Sequence, residues 1–313
     1  MISTVLFQHS ISRWIKTHQG SKAMHWLLGM LSITLATVIW GYSNVVIRQG
    51  ELAMPVSILL WMRFGLAGIL LIPTVFRLRL SRKHWCIGLG TGALLGVSVL
   101  AQGWAMVTIP VDEVAFITAL YVVFTPIGAA FLQRIRPHKA LWISVIVSMV
   151  GVVLLIGHLT FDLKVGILWA FLAAVGFSAQ IIGTTEITKY ATSIQITGLQ
   201  SVGAGLAMTV WLLIQGSLHP SIYHGLFHWS KTAWIWIGYL AILATVVACF
   251  LQAWGQARLS SAEAALIFNM EPVWTAVFAW LILSQKMTVP QIVGALLIVS
   301  SLTMVSKPAK VRP

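Results

Sequence analysis

Apolar residues in this chain do not alternate as in a strand, nor do they recur every three to four positions as on a water-facing helix. They come in long runs of about 18 to 24 residues, broken by short polar stretches. Ten such runs can be drawn, at roughly 25–46, 55–76, 85–108, 111–133, 138–157, 163–186, 193–215, 232–257, 260–283 and 288–305. Wound as helices, each is long enough to cross a hydrocarbon layer of about 30 Å. Several connections are only a few residues long, which makes consecutive runs antiparallel neighbours. Prolines 55, 110, 137, 220 and 290 fall at the boundaries, where a missing N–H matters least. Alternating segments of about ten residues, the mark of a membrane β-barrel, are not seen. The pattern predicts an all-α integral membrane protein with ten transmembrane helices.

Composition agrees. Of 313 residues, 58% are hydrophobic and 9% are charged, with a mean hydropathy of +0.91. Soluble domains carry about 25% charged residues, so the lipid bilayer is the expected surroundings. The formal net charge of +13 would point a soluble protein toward nucleic acid. Here Lys and Arg sit in short loops and tails, so no nucleic acid partner is expected. Fifteen fall on the side that carries both termini, four on the other, and Arg63 lies within a run. That bias predicts both termini in the cytoplasm. Cys86 and Cys249 read as buried small hydrophobes, with neither a disulfide nor a metal site expected. His219, His224 and His228 lack the Cys or acid that would complete a metal site and read as loop residues. Residues 1–24 read as a cytoplasmic tail without a signal-peptide core, either a short interfacial helix or disordered.

The chain also repeats. A shift of 150 carries Gly88 onto Gly238, Gln102 onto Gln252, Trp104 onto Trp254, Glu113 onto Glu263 and Thr125 onto Thr275. The first two runs need a shift of 137, which carries Gly29 onto Gly166 and Gly68 onto Gly205; the difference is an insertion around 216–229. Two repeats of five helices follow, 25–157 and 158–306, with a cytoplasmic C-terminal tail at 307–313. Five is odd, so the second repeat must enter the membrane inverted. Substrate sites in such architectures lie near the midplane, between the halves.

The polar residues stranded inside the runs are the candidates for chemistry. Glu271 is 11 residues past Ser260, about 16 Å deep. A carboxylate there is either a protonation or cation site, or a structural group paired with Arg63. Pro272 frees the carbonyl near Phe268, and Pro126 lies within the fourth run; both predict kinks. Arg63 can snorkel, pair with Glu271 or grip a substrate carboxylate. The repeat sets Tyr121 opposite Glu271 and Thr125 opposite Thr275, as a gate or proton partner, or as packing. Asn269 points about 200° away from Glu271 and is left out of that site. Trp40 with Asn44, and Phe177 with Gln180, either line a cavity or glue helices, as do Gln102 and Gln252. Trp26, Trp85, Trp142, Trp229, Trp234 and Trp236 suit interface belts. Trp40, Trp61, Trp104, Trp254 and Trp274 lie deeper and could wall a pocket for an apolar, aromatic or cationic solute.

Trp40-Gly-Tyr-Ser-Asn44, Trp61-Met-Arg-Phe64, Leu120-Tyr-Val-Val-Phe-Thr-Pro126, Glu271-Pro-Val-Trp-Thr-Ala276, Leu281-Ile-Leu-Ser-Gln-Lys286 and Gln291-Ile-Val-Gly-Ala295 occur in this order. With these motifs the chain resembles the EamA-type members of the drug/metabolite transporter superfamily along nearly its whole length. It departs at Gln285, where such chains often carry Glu. The resemblance implies a ten-helix, inverted-repeat carrier of small metabolites, often an exporter, in the bacterial inner membrane. Amino acids or related compounds are the leading solute, with a proton as candidate coupling ion and no cofactor. Export of amphipathic or cationic drugs, passive facilitation, and a membrane-embedded enzyme on lipid-linked substrates are the alternatives. No hydrolase, kinase or phosphate-loop signature favours an enzyme. Oligomeric state is left open.

Overall fold

In hydrocarbon a backbone must satisfy its own polar groups, so apolar runs of this length wind into helices. The computed structural model describes residues 2–50, 53–76, 78–109, 111–134, 137–156, 164–223, 229–283 and 287–305, and the side chains of residues 2–22 are not considered. The described secondary structure is entirely helical. Its helices are α1 (Ile2–Gly50), α2 (Val56–Phe76), α3 (Arg82–Thr108), α4 (Val111–Ala119), α5 (Tyr121–Leu132), α6 (Lys139–Ile156) and α7 (Val165–Ile187). Then come α8 (Ser193–Leu218), α9 (Lys231–Ala241), α10 (Ala248–Gln256), α11 (Ser261–Phe268), α12 (Met270–Leu283) and α13 (Val289–Val305). A short 3-10 turn, Pro220–Tyr223, follows α8, and a π-helical turn, Ile242–Val247, joins α9 to α10.

Among the described residues nine spans are long and apolar enough to cross a membrane, counting α4–α5, α9–α10 and α11–α12 as one each. The last, α13, has 17 residues and is shorter. Polar caps mark the starts: Ser230 accepts from the Ala233 N–H, while Thr192 with Gln195 and Ser260 with Glu263 form reciprocal capping boxes. Large apolar side chains face outward, with Ile69 at 68% and Phe131 at 81% exposure, as a lipid-facing surface requires.

Packing runs mainly between the first five spans and the last five. The pairs are α2 with α8, α3 with α7 and α8, α6 with α13, and α1 with α10 and α12, while α4 and α5 rest on α7. The α6–α13 crossing is close enough to need glycine: a Cβ on Gly151 would stand 2.7 Å from the Gly294 carbonyl oxygen. Two spans are broken in the middle. At Leu120 and at Asn269 the backbone N–H reaches back three residues, to Ile117 and Leu266, instead of four. The break in the ninth span precedes Pro272, as its missing N–H predicts. In the fourth span it falls at Leu120, ahead of Pro126, which lies inside α5.

Two further expectations are corrected. Helix α1 starts at Ile2 and runs unbroken into the first span, so residues 2–24 are neither a separate helix nor coil. Cys249 is buried, but Cys86 is exposed, because it lies near the start of α3 on the face turned away from the bundle. His224 and His228 lie outside the described residues, as do Gln285 and Lys286; His219 is exposed.

Candidate functional site

The break at Asn269 sets Glu271 in the first turn of α12, facing α1. There Asn44 Nδ2 donates to Glu271 Oε1 at 2.9 Å and also lies 3.2 Å from Thr275 Oγ1. The Thr275 hydroxyl is 3.0 Å from the Glu271 carbonyl oxygen and 3.3 Å from that of Gly41 on α1. The two helices touch here: a Cβ on Gly41 would lie 2.6 Å from Trp274 Cβ. Asn44 thus bonds the Glu271 carboxyl directly, and Thr275 ties the same turn of α12 to Asn44 and to the α1 backbone. A hydrogen bond to an ionised group stabilises by about 1.5–3 kcal/mol, which offsets part of the cost of a charge at this depth.

Arg63 is 4% exposed and is satisfied elsewhere. Its Nε donates to Thr245 Oγ1 at 2.9 Å and its Nη2 to the Ala244 carbonyl at 3.1 Å, with the guanidinium 5.0 Å from the Phe64 ring centroid. Among the described residues no ion pair joins Arg63 to Glu271. The expected salt partner is thus replaced by the π turn. A π turn carries one residue more than an α turn and leaves carbonyls free for other donors. Ala244 also accepts from Trp40 Nε1 at 2.8 Å, so one oxygen serves α1 and α2 together. Beside it, Tyr239 donates to the Ile39 carbonyl at 2.7 Å and meets Tyr42 edge-on at 5.0 Å.

The remaining candidates divide. Tyr121 is buried and packs edge-on against Phe177 at 6.3 Å, and Thr125 donates to the Tyr121 carbonyl at 2.7 Å within its own helix. Trp104 stacks edge-on with Trp169 and Trp211, at 5.0 and 4.7 Å, and joins Trp40, Trp61 and Phe177 around one apolar cluster. Trp254 does not join them: its ring lies under the Arg258 guanidinium, 3.4 Å away, at the end of α10. Gln180 is held in an amide network with Gln252 and Thr184, and Gln102 is only half-buried. Asn269 turns away to Ser148, 3.0 Å off. Trp26, expected in an interface belt, donates to Glu263 Oε1 at 3.0 Å. A groove of about 330 Å³ between α4–α5 and α6, lined by Phe116, Val123, Trp142 and Met149 among others, is wholly apolar and is separate from the Glu271 cluster.

Sequence reasoning missed Ala244, Thr245 and Tyr239, since neither hydropathy nor spacing marks a π turn. It also missed Thr184, Gln200 and Gln256. The Gln180/Thr184 and Gln252/Gln256 spacings of four residues were the available signal.

Comparisons with known proteins bear on the fold and the family. A model of the EamA-like transporter family matches residues 27–157 and again 164–307. The chain is 24% identical to an "Uncharacterized transporter" of Archaeoglobus fulgidus, over 94% of this chain and 90% of that one. It is 24% identical to "Uncharacterized inner membrane transporter YicL" of Salmonella typhimurium, over 89% and 95%. It is 25% identical to a "Probable amino-acid metabolite efflux pump" of Escherichia coli strain K12, over 88% and 93%. A solved crystal structure shares the fold, with a TM-score of 0.71 at 18% identity, covering 88% of this chain and 95% of the other.

Proposed function

Because the chain belongs to the EamA-like transporter family, and is thus a multi-pass membrane transporter, we propose that it exports small organic metabolites, amino acids or related compounds foremost. In this reading it works in a bacterial inner membrane with both termini cytoplasmic. Two five-helix halves, 25–157 and 158–306, inverted relative to one another, rearrange around the midplane. It acts as a carrier rather than as an enzyme on lipid-linked substrates.

Paired contacts support the inverted arrangement. A Cβ on Gly68 would meet the Ser201 carbonyl oxygen at 3.3 Å, and one on Gly205 would meet that of Phe64 at 3.2 Å. The shift of 137 turns 68 into 205 and 64 into 201, so each contact is the other's counterpart. Gly29 approaches Arg258 and Leu259 as Gly166 approaches Thr108 and Ile109, again counterparts under the two shifts. The Lys and Arg bias supports the orientation.

The observation that carries the mechanism is the Asn44–Glu271–Thr275 cluster at the broken ninth span. Helices α1 and α12 come from opposite halves, so a proton on Glu271 changes what Asn44 can bond to across their joint. Protonation and release of Glu271 then bias which way the halves open, and the solute moves against that bias. The name of the Escherichia coli relative supports amino-acid-like solutes. The wall of Trp40, Trp61, Trp104, Phe177 and Trp211 equally favours amphipathic cations as a second solute class. Proteoliposome flux of labelled amino acids and quaternary amines, with and without an imposed pH gradient, tests both. Uphill movement driven by the gradient in the wild type and lost in Glu271→Gln is the expected result. Equal flux and pH dependence in the two proteins would exclude the proton role, and flux that never runs uphill would make the protein a passive facilitator.

A further inference from the structure

A second polar cluster, apart from Glu271, ties α7, α8 and α10 together. Its members are Gln180 and Thr184 on α7, Gln200 on α8, and Gln252 and Gln256 on α10, each at most 2% exposed. Its hydrogen bonds run in one sense, from the amide N–H groups toward α7. The Thr184 hydroxyl has one proton, which goes to the Gln180 carbonyl at 2.8 Å. Its oxygen therefore accepts, from Gln180 Nε2 at 3.1 Å and from Gln200 Nε2 at 2.6 Å. With its Nε2 so placed, Gln180 turns Oε1 toward Gln252 Nε2, 3.2 Å away. Gln256 Nε2 points at the Ile181 carbonyl, 2.8 Å away, which can only accept, and at Thr185 Oγ1, 2.9 Å away. Turning Gln256 round would set its oxygen against the Ile181 carbonyl, and turning Gln252 alone would set its oxygen against Gln180 Oε1.

The consequence is one-sided. Gln200, Gln252 and Gln256 all spend their N–H groups on the Gln180–Thr185 stretch of α7, and their Oε1 atoms are left. All three oxygens are buried and accept no hydrogen bond from the described residues. Bare acceptors are costly in a membrane interior, and three in one cluster call for a guest with positive character. Among the described residues no cluster of three or more Asp, Glu, His or Cys exists that could hold a metal ion. Neutral oxygen donors without a carboxylate suit a hard cation of single charge better than a divalent ion or a transition metal. Transport proteins coordinate sodium with uncharged oxygens of the backbone, to which an amide side-chain oxygen is chemically equivalent.

We propose that the amide oxygens of Gln200, Gln252 and Gln256 form a binding site for a sodium-class monovalent cation between α7, α8 and α10. The bound ion neutralises the exposed ends of the three amides and locks the three helices to each other. Nothing in this site depends on what the protein transports, so a failed flux assay would leave it standing.

The test uses the full-length protein in detergent, with its thermal unfolding midpoint followed in sodium, potassium and choline chloride at equal ionic strength. Sodium is expected to raise the midpoint saturably over choline, with one radiolabelled sodium retained per chain at saturation. Gln200→Leu and Gln252→Leu should each lose both responses while keeping the helical content seen by circular dichroism. Should either fail to fold, Gln256→Met, close in volume, gives the same reading. Equal midpoints in sodium and choline, meaning that ordered water alone meets the oxygens, would overturn the site. So would a sodium response that survives all three substitutions.

Discussion

Two spans break at mid-membrane, and their breaks use the same backbone device to different ends. At Leu120 and at Asn269 the helix tightens for one turn before resuming. The residues that follow correspond under the shift of 150, Tyr121 with Glu271 and Thr125 with Thr275. After Asn269, Glu271 and Thr275 both bond outward, to Asn44 of α1. After Leu120, Tyr121 meets the Phe177 ring edge-on, and Thr125 bonds back to its own helix. The partner helices differ to match: the shift of 137 carries Asn44 onto Ile181, which is buried with Tyr121 in one apolar cluster. A shared architecture has thus been given one titratable joint and one greasy joint. The break supplies the bend; the side chains on both of its walls decide what the bend can sense.

Substitutions can break or sharpen this contrast. Glu271→Gln keeps the shape of the polar joint but removes its charge, and proteoliposome flux should fall more than about tenfold and lose its pH dependence. Asn44→Leu, which gives the polar joint the apolar partner of the other, removes a hydrogen bond to a carboxyl worth about 1.5–3 kcal/mol; flux should fall about tenfold and its pH midpoint should move. Thr275→Val cuts contacts between helices and should destabilise the protein by about 0.6 kcal/mol in thermal or denaturant unfolding. Thr125→Val, whose hydroxyl serves only its own helix, should cost less than half of that. Tyr121→Phe should leave flux within about twofold, since packing and not the hydroxyl holds that ring. A loss at Tyr121 as large as that at Glu271 would mean that the two joints work as one.

The spans, their order and the break before Pro272 were readable in the sequence, because run length and a missing N–H act locally; the break at Leu120 was not, since no proline follows it closely. Glu271 stood out for the same reason, a lone acid in an apolar run. Its partner did not. Arg63 was the nearest opposite charge in kind, yet the π turn claims it, and a π turn is a change of backbone register that a tally of apolar residues does not register. Trp254 and Trp104 correspond under the repeat but part company, because Arg258 follows Trp254 by one helical turn whereas Thr108 follows Trp104. Gln180, read beside Phe177 as either cavity lining or helix glue, has neighbours across the interface that make it part of an amide network.

The Ala244 carbonyl is a single peg from which two helices hang, Trp40 of α1 and Arg63 of α2. It is free to hold them because the turn from Ile242 to Val247 is one residue too wide. If that surplus residue were absorbed and the turn tightened, the oxygen would swing back to its own helix, and both donors would lose their hold in one movement. The first two spans are therefore geared to the eighth: they travel with it or let go of it together, so that a slip of one residue in a single turn is felt in three spans at once.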